Sequence, residues 1–197
     1  TILASLEERG LLTDELRKAV LSAETMATLE DVYLPYRPKR RTRATIAREK
    51  GLEPLALHVW DQEDFDVNLA AVEYVNPELG VGKVEDALGG ARDIIAEWVS
   101  EDTTARREIR KLFWSQGTFS SKVVSGKDSK AAKYRDYFEW EEPVADMPSH
   151  RVLAMLRGER EALLSIHIAP PVVQAMAILE RIFVTGETEA SQQVRLA

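Results

Sequence analysis

The sequence predicts an all-α protein, an irregular assembly of many helices with room for a minor two-stranded β element. Charged residues reach 30% of the chain, which suits helices with solvated outer faces. Aromatics stop at 7%, too few for a protein built mainly on strands. Capping residues followed by apolar residues at helical spacing recur along most of the length.

The elements follow in order. A first helix runs to Arg9 and stops at Gly10, which can take the left-handed conformation a helix end needs. Thr13 caps a second helix, with Asp14 and Glu15 in the first turn and Leu16, Ala19, Val20 and Ala23 on one face. Thr28 opens a short segment that Pro35 and Pro38 close. Residues 34–42 cannot be regular helix and are expected to be extended, because each proline fixes its own φ and disfavours helix before it. Thr42 or Arg43 then starts a helix that Gly51 ends, and Pro54 fits the first turn of the next. An acidic loop covers 61–64, and the helix after it breaks at Asn76-Pro77. From Val84 the apolar positions Ala87, Leu88, Ala91, Ile94, Ile95 and Trp98 define one face of a long helix. Its Gly89-Gly90 pair costs about 1 kcal/mol per glycine, so another helix is expected to pack closely there.

Asp102 caps the following helix, with Ala105, Ile109, Leu112 and Phe113 facing inward, and Gly117 ends it. Residues 119–124 and 163–169 read as the two short strands, and 131–138 as helix. Pro148-Ser149 open a helix that turns Val152, Leu153 and Leu156 inward. Pro170-Pro171 lead a last helix, 172–183, and the polar tail from Thr185 is expected to fray. The weakest point, and the expected sub-boundary, lies near 115–126.

With no cysteine, the chain holds no disulfide, thiolate nucleophile or thiolate zinc site, in keeping with a cytoplasmic protein. His58, His150 and His167 lie far apart and none has a metal-binding spacing. The carboxylate groups (Glu30-Asp31, Asp61 with Glu63 and Asp64, Glu139 with Glu141-Glu142) stand beside no histidine or glycine-rich turn, and read as solvated faces. Gly80-Val81-Gly82-Lys83 lacks the spacing of a phosphate loop. The expectation is a non-catalytic chain with no metal and no cofactor. No apolar run approaches the ~20 residues a bilayer requires, so no membrane partner is expected. The chain opens mid-helix on Thr1, as a piece of a longer protein would.

Charge distribution singles out one segment. The net charge is −7, yet Arg37, Lys39, Arg40, Arg41, Arg43, Arg48 and Lys50 stand against the single acid Glu49. Such a local excess inside an acidic chain marks a contact surface. Arg37, Lys39, Arg40, Arg41, Arg43 and Arg48 are the candidates for phosphate contacts, with Tyr36 as a stacking group for an unpaired base. The alternative is that these cations pair with carboxylates of neighbouring helices, or dock against other domains of the same chain, and so serve as a scaffold.

The run Leu29-Glu30-Asp31-Val32-Tyr33-Leu34-Pro35-Tyr36-Arg37-Pro38-Lys39-Arg40-Arg41-Thr42, continuing to Ala56, resembles the N-terminal helical region of Tex, the bacterial transcription accessory protein family. Tyr74-Val75-Asn76-Pro77-Glu78, Ala87 to Glu97, Val123 to Lys127, Ala132 to Phe138 and Pro148 to Arg151 follow in the family's order. The resemblance covers residues 1–165; residues 166–197, read as the C-terminal helix and tail, lie outside it. It implies a large, mostly helical cytoplasmic protein that binds RNA or DNA and works with the transcription machinery. It also implies that ribonuclease-H-like, helix-hairpin-helix and S1 domains belong to the full-length protein; their signatures do not occur here.

Overall fold

The computed structural model describes residues 2–37 and 41–197. It divides the chain into two units, residues 1–106 with 179–197, and residues 107–178. The second is thus an insert in the sequence of the first.

The first unit is helical. Its early helices are α1 (Ile2–Glu8), α2 (Asp14–Leu21) and α3 (Met26–Tyr33). As expected, Thr13 caps α2, accepting the Leu16 N–H at 3.2 Å. The cap of α3 is Thr25 rather than Thr28. Residues Leu34–Tyr36, expected to be extended, make one turn of 3₁₀ helix. Pro35 fits there because the start of a helical turn needs no N–H from it. Arg37 then takes extended geometry.

The core of this unit is built by α4 (Arg43–Glu49), α5 (Glu53–Trp60), α6 (Val67–Val72) and the long α7 (Val84–Glu101). Thr42 caps α4, and Leu52, Leu55, Val59, Ala87, Ala91, Ile94 and Ile95 are buried together. A Cβ on Gly90 would lie 2.3 Å from Leu52 Cδ1 and 3.3 Å from Ala47 Cβ, so the close approach expected at the glycine pair is real at Gly90. Gly89 meets only the end of Arg92. The polar tail is not frayed. Residues Glu189–Leu196 form α11, capped by Thr188, with Ala190 and Val194 in the same core. Gln62 ties the segment down, donating to Phe183 O at 2.7 Å and accepting the Thr185 N–H at 2.9 Å.

Two helices carry the chain across the unit boundaries, α8 (Thr103–Gln116) and α10 (Val172–Phe183). Within the second unit, β1 (Thr118–Val123) is the centre of a three-stranded antiparallel sheet. Its neighbours are β2 (Glu139–Pro143) on one side and β3 (Leu164–Ala169) on the other. The expected pair was β1 with β3; β2 adds a third strand from a charged stretch, Glu-Trp-Glu-Glu-Pro. Residues Ala132–Tyr137 are 3₁₀ rather than α-helix. Phe119, Tyr134, Met155 and Leu164 form the small core. In α9 (Ser149–Arg160) Met155 and Gly158 face that core, and Leu153 and Leu156 are exposed, contrary to expectation. The cause is local: Gly158 lies against Leu164, and only the face that includes it can approach β3.

A surface ion pair, Lys133 Nζ to Glu161 Oε2 at 2.7 Å, helps hold this unit. The hydrogen bond to Lys133 lowers the Glu161 carboxyl below its ordinary 4.5. The same bond raises Lys133 above its ordinary 10.5. Stabilisation by the carboxylate is present above pH 4.5 and lost as pH falls through the lowered value; that of the ammonium is present below 10.5 and lost as pH rises through the raised one. A Lys133→Met variant is therefore expected to melt below wild type at neutral pH. Melting curves across pH should show the gap closing in acid below pH 4.5.

Candidate nucleic-acid interface

The basic segment leaves the 3₁₀ turn at Tyr36 and re-enters helix at α4. Lys39 and Arg40 lie outside the described residues. The other candidates separate into two kinds.

Arg48 is an anchor. Its Nη1 donates to Glu97 Oε2 at 2.6 Å and its Nε to Glu53 Oε1 at 3.0 Å. Its side chain is 29% exposed, that of Glu97 only 10%. Burial opposes the charge on Arg48, but the hydrogen bonds to Glu97 and Glu53 outweigh it and the pKa is raised. Glu97 also accepts the Thr42 hydroxyl at 3.1 Å, so the residue that caps α4 and the arginine near its end are tied to one carboxylate on α7.

Arg37, Arg41 and Arg43 are exposed. Arg41 Nη2 meets Glu49 Oε2 at 2.7 Å with the arginine side chain 68% exposed. Arg43 Nε meets Asp93 Oδ1 at 3.3 Å with the side chain 86% exposed. Pairs this open to water contribute about 0–1 kcal/mol. They are cheap to exchange for a phosphate, which accepts the same donors in bidentate fashion. Tyr36 is half-buried, and its carbonyl accepts a hydrogen bond from Arg9 Nη1. Lys50 donates to Gly80 O at 2.9 Å, fastening the end of α4 to the turn before α7.

Residues that sequence reasoning missed complete the surface. Asp93, Ala96, Glu97, Ser100 and Glu101 project from one face of α7, as their 3–4 residue spacing requires. They face Leu34, Arg37, Thr42, Arg43 and Ala44 across a groove of about 620 Å³. A second groove of about 380 Å³ lies beyond Arg43, lined by Lys50, Gly80, Glu85, Gly89, Arg92 and Asp93 among others. The carboxylate spacing along α7 was a readable signal, but nothing in it named α4 as its partner.

Fold and surface together define a mostly helical protein in which Arg37 and Arg43 face an acidic side of α7 across a groove. Among the described residues no helix is long and apolar enough to cross a membrane.

A family model described as Tex central region-like matches residues 62–195. The chain belongs to the Tex family. The model's description is of a central region, where the resemblance above points to an N-terminal one. Protein tex of Bordetella pertussis (strain Tohama I) is 45% identical over 167 residues, 85% of this chain and 21% of its own. Protein YhgF of Escherichia coli (strain K12) is 46% identical over 167 residues, 85% of this chain and 22% of its own. Transcriptional accessory protein Tex of Neisseria gonorrhoeae is 44% identical over 165 residues, 84% of this chain and 22% of its own. The chain thus spans about a fifth of the length of these curated relatives.

Proposed function

We propose that this chain is a non-catalytic helical platform of a transcription accessory protein that contacts nucleic acid, RNA or DNA, through the lip before α4. Arg37, Arg41 and Arg43 make the phosphate contacts, and Arg48 fixes the backbone that presents them. The observation that carries this is the division within the segment: Arg48 is held by carboxylates on α5 and α7, while the exposed Arg41 and Arg43 have only weak surface pairs. An anchored backbone lowers the entropy lost when those side chains bind. In the full-length protein the same platform works beside the transcription machinery, as the name of the Neisseria gonorrhoeae relative suggests for that protein.

A second reading has its own support. Arg41, Arg43 and Arg48 each have a carboxylate within 3.3 Å, which is what a scaffold docking its basic segment internally requires. Titrating wild type and an Arg37→Ala/Arg41→Ala/Arg43→Ala variant with labelled RNA and DNA across salt concentrations separates the two. The expected result is at least a tenfold loss of affinity in the variant. Its salt slope should be shallower by about 2–3 log units per log unit of salt, since three phosphate contacts are gone. Melting temperature should be nearly unchanged. Equal binding by both proteins would end the phosphate reading, and a large drop in melting temperature would favour the scaffold.

A further inference from the structure

We propose that the outer face of α8, where Trp114 stands among Arg107, Arg110 and Lys111, is a second contact for single-stranded nucleic acid, at which the indole stacks on an unpaired base. The inference rests on the function proposed above for its class of partner and goes further, to a separate surface and to the strand state it takes.

Residues 107–116 of α8 lie in the second unit. At 3.6 residues per turn, Arg107, Arg110, Lys111 and Trp114 fall within about 100° of the helix circumference. Ala105 and Leu112 are buried on the opposite side of the helix, so this arc is its outer face. Trp114 is 70% exposed, whereas Trp60 and Trp98 pack against the core of the first unit and Trp140 against that of the second. Among the described residues no ring or cation stacks on the Trp114 indole, while Arg151 lies over Trp140. A single exposed apolar side chain is ordinary on a protein surface. One set among cations is a more particular chemistry.

The cations keep donors to spare. Lys111 Nζ gives one hydrogen bond to Glu108 Oε1 at 2.9 Å, and Arg107 Nε gives another at 3.2 Å. An ammonium has three N–H groups and a guanidinium five, so both can still donate to a phosphate. Both pairs with Glu108 are open to water and therefore weak. Lys111 and Arg110 stand one turn before Trp114, roughly 4.5 and 6 Å along the axis, close enough to meet the phosphate of a nucleotide stacked on the indole. One nucleotide thus supplies both a flat π face and an anion. A protein interface would instead set the tryptophan in an apolar patch and keep lysine out of its centre. A helix lying on a membrane would leave its apolar side bare, and here Ala105 and Leu112 are covered. A duplex keeps its bases stacked on each other, so only an unpaired strand has a face to offer.

The test titrates this chain with unlabelled oligothymidine and with a DNA duplex of equal length, following tryptophan emission excited where the bases do not absorb. Oligothymidine should quench the wild type, and the quenching should be absent from Trp114→Phe, whose smaller ring still permits some stacking. Anisotropy of a fluorescein-labelled strand should show Trp114→Ala binding at least about 5-fold more weakly than wild type, the low end for loss of one base stack. Arg107→Gln/Lys111→Gln should make the salt slope shallower by about 1.4, the share of two single-strand phosphate contacts. Circular dichroism should be unchanged in all three variants, since the side chains replaced are exposed. Quenching that persists in Trp114→Phe, or equal affinity of wild type and Trp114→Ala, overturns the inference and leaves the phosphate contacts before α4 standing. Equal quenching by the duplex overturns it as well. A blue shift of wild-type emission as the protein alone is concentrated, without quenching by oligothymidine, makes the face a contact between copies and also overturns it. No binding of either nucleic acid overturns this inference and the proposed function together.

Discussion

Gly90→Val is expected to destabilise the first unit by about 3 kcal/mol, at the upper end for overpacking a filled core. The Cβ alone would lie 2.3 Å from Leu52 Cδ1, and Leu52 is buried among Leu55, Ile94 and Ile95 with little space to retreat. Removing a glycine from a helix returns under ~1 kcal/mol, too little to offset the clash. A fall of roughly 6–12 °C in melting temperature would follow for a protein of this size. Because Ala47 of α4 also lies 3.3 Å from the new Cβ, relief of the clash would tilt that helix and carry Arg43 with it. Gly89→Ala is the control. The nearest atom to its Cβ is the tip of Arg92 at 3.7 Å, so it should be neutral or stabilising by up to about 1 kcal/mol. If both variants melt alike, the packing described at Gly90 is wrong.

Arg48→Ala should cost about 2–3 kcal/mol, somewhat below the 3–5 kcal/mol for breaking a fully buried pair, because Arg48 keeps some contact with water. The loss comes from Glu97, whose mostly buried carboxylate loses its 2.6 Å partner. Adding Glu97→Gln to Arg48→Ala should therefore recover part of the stability, since a neutral amide is cheaper to leave in that place. Arg48→Lys should recover less than its charge suggests, because an ammonium lacks the planar fork that meets Glu97 and Glu53 together. Urea denaturation of the four proteins checks this. Arg41→Ala, by contrast, should stay within about 0.5 kcal/mol of wild type. A comparable loss at Arg41 and Arg48 would erase the distinction between anchor and lip.

Much of the helical framework was legible because its signals are local. Thr13, Thr42 and Asp102 announce helix starts, and each hydroxyl or carboxylate accepts an N–H within its own first turn. What failed depends on distant partners. Residues 189–196 look like a polar tail until Gln62, more than a hundred residues earlier, ties down Thr185 and Thr188 just before them. Strand β2 is mostly charged and becomes a strand because β1 offers it a row of backbone partners. Leu153 and Leu156 suggest a core face in α9, yet the side that packs is chosen by Gly158 against Leu164. The site divides in the same way. The charge cluster is visible in one short segment, whereas which arginine serves as anchor depends on Glu97, 49 residues away from Arg48.

The clasp on Gln62 sets a timetable for synthesis. Thr188, whose hydroxyl donates to the Gln62 carbonyl, follows it by 126 residues. At about 5–20 residues per second, the ribosome delivers that partner roughly 6–25 s after Gln62. In the interval the whole insert is made, while the surface of α5 and α7 that α11 will cover still faces water. A nascent chain stalled between the insert and α11 would thus carry a finished insert within an unfinished host, and the open seam would be the natural place for a holding chaperone.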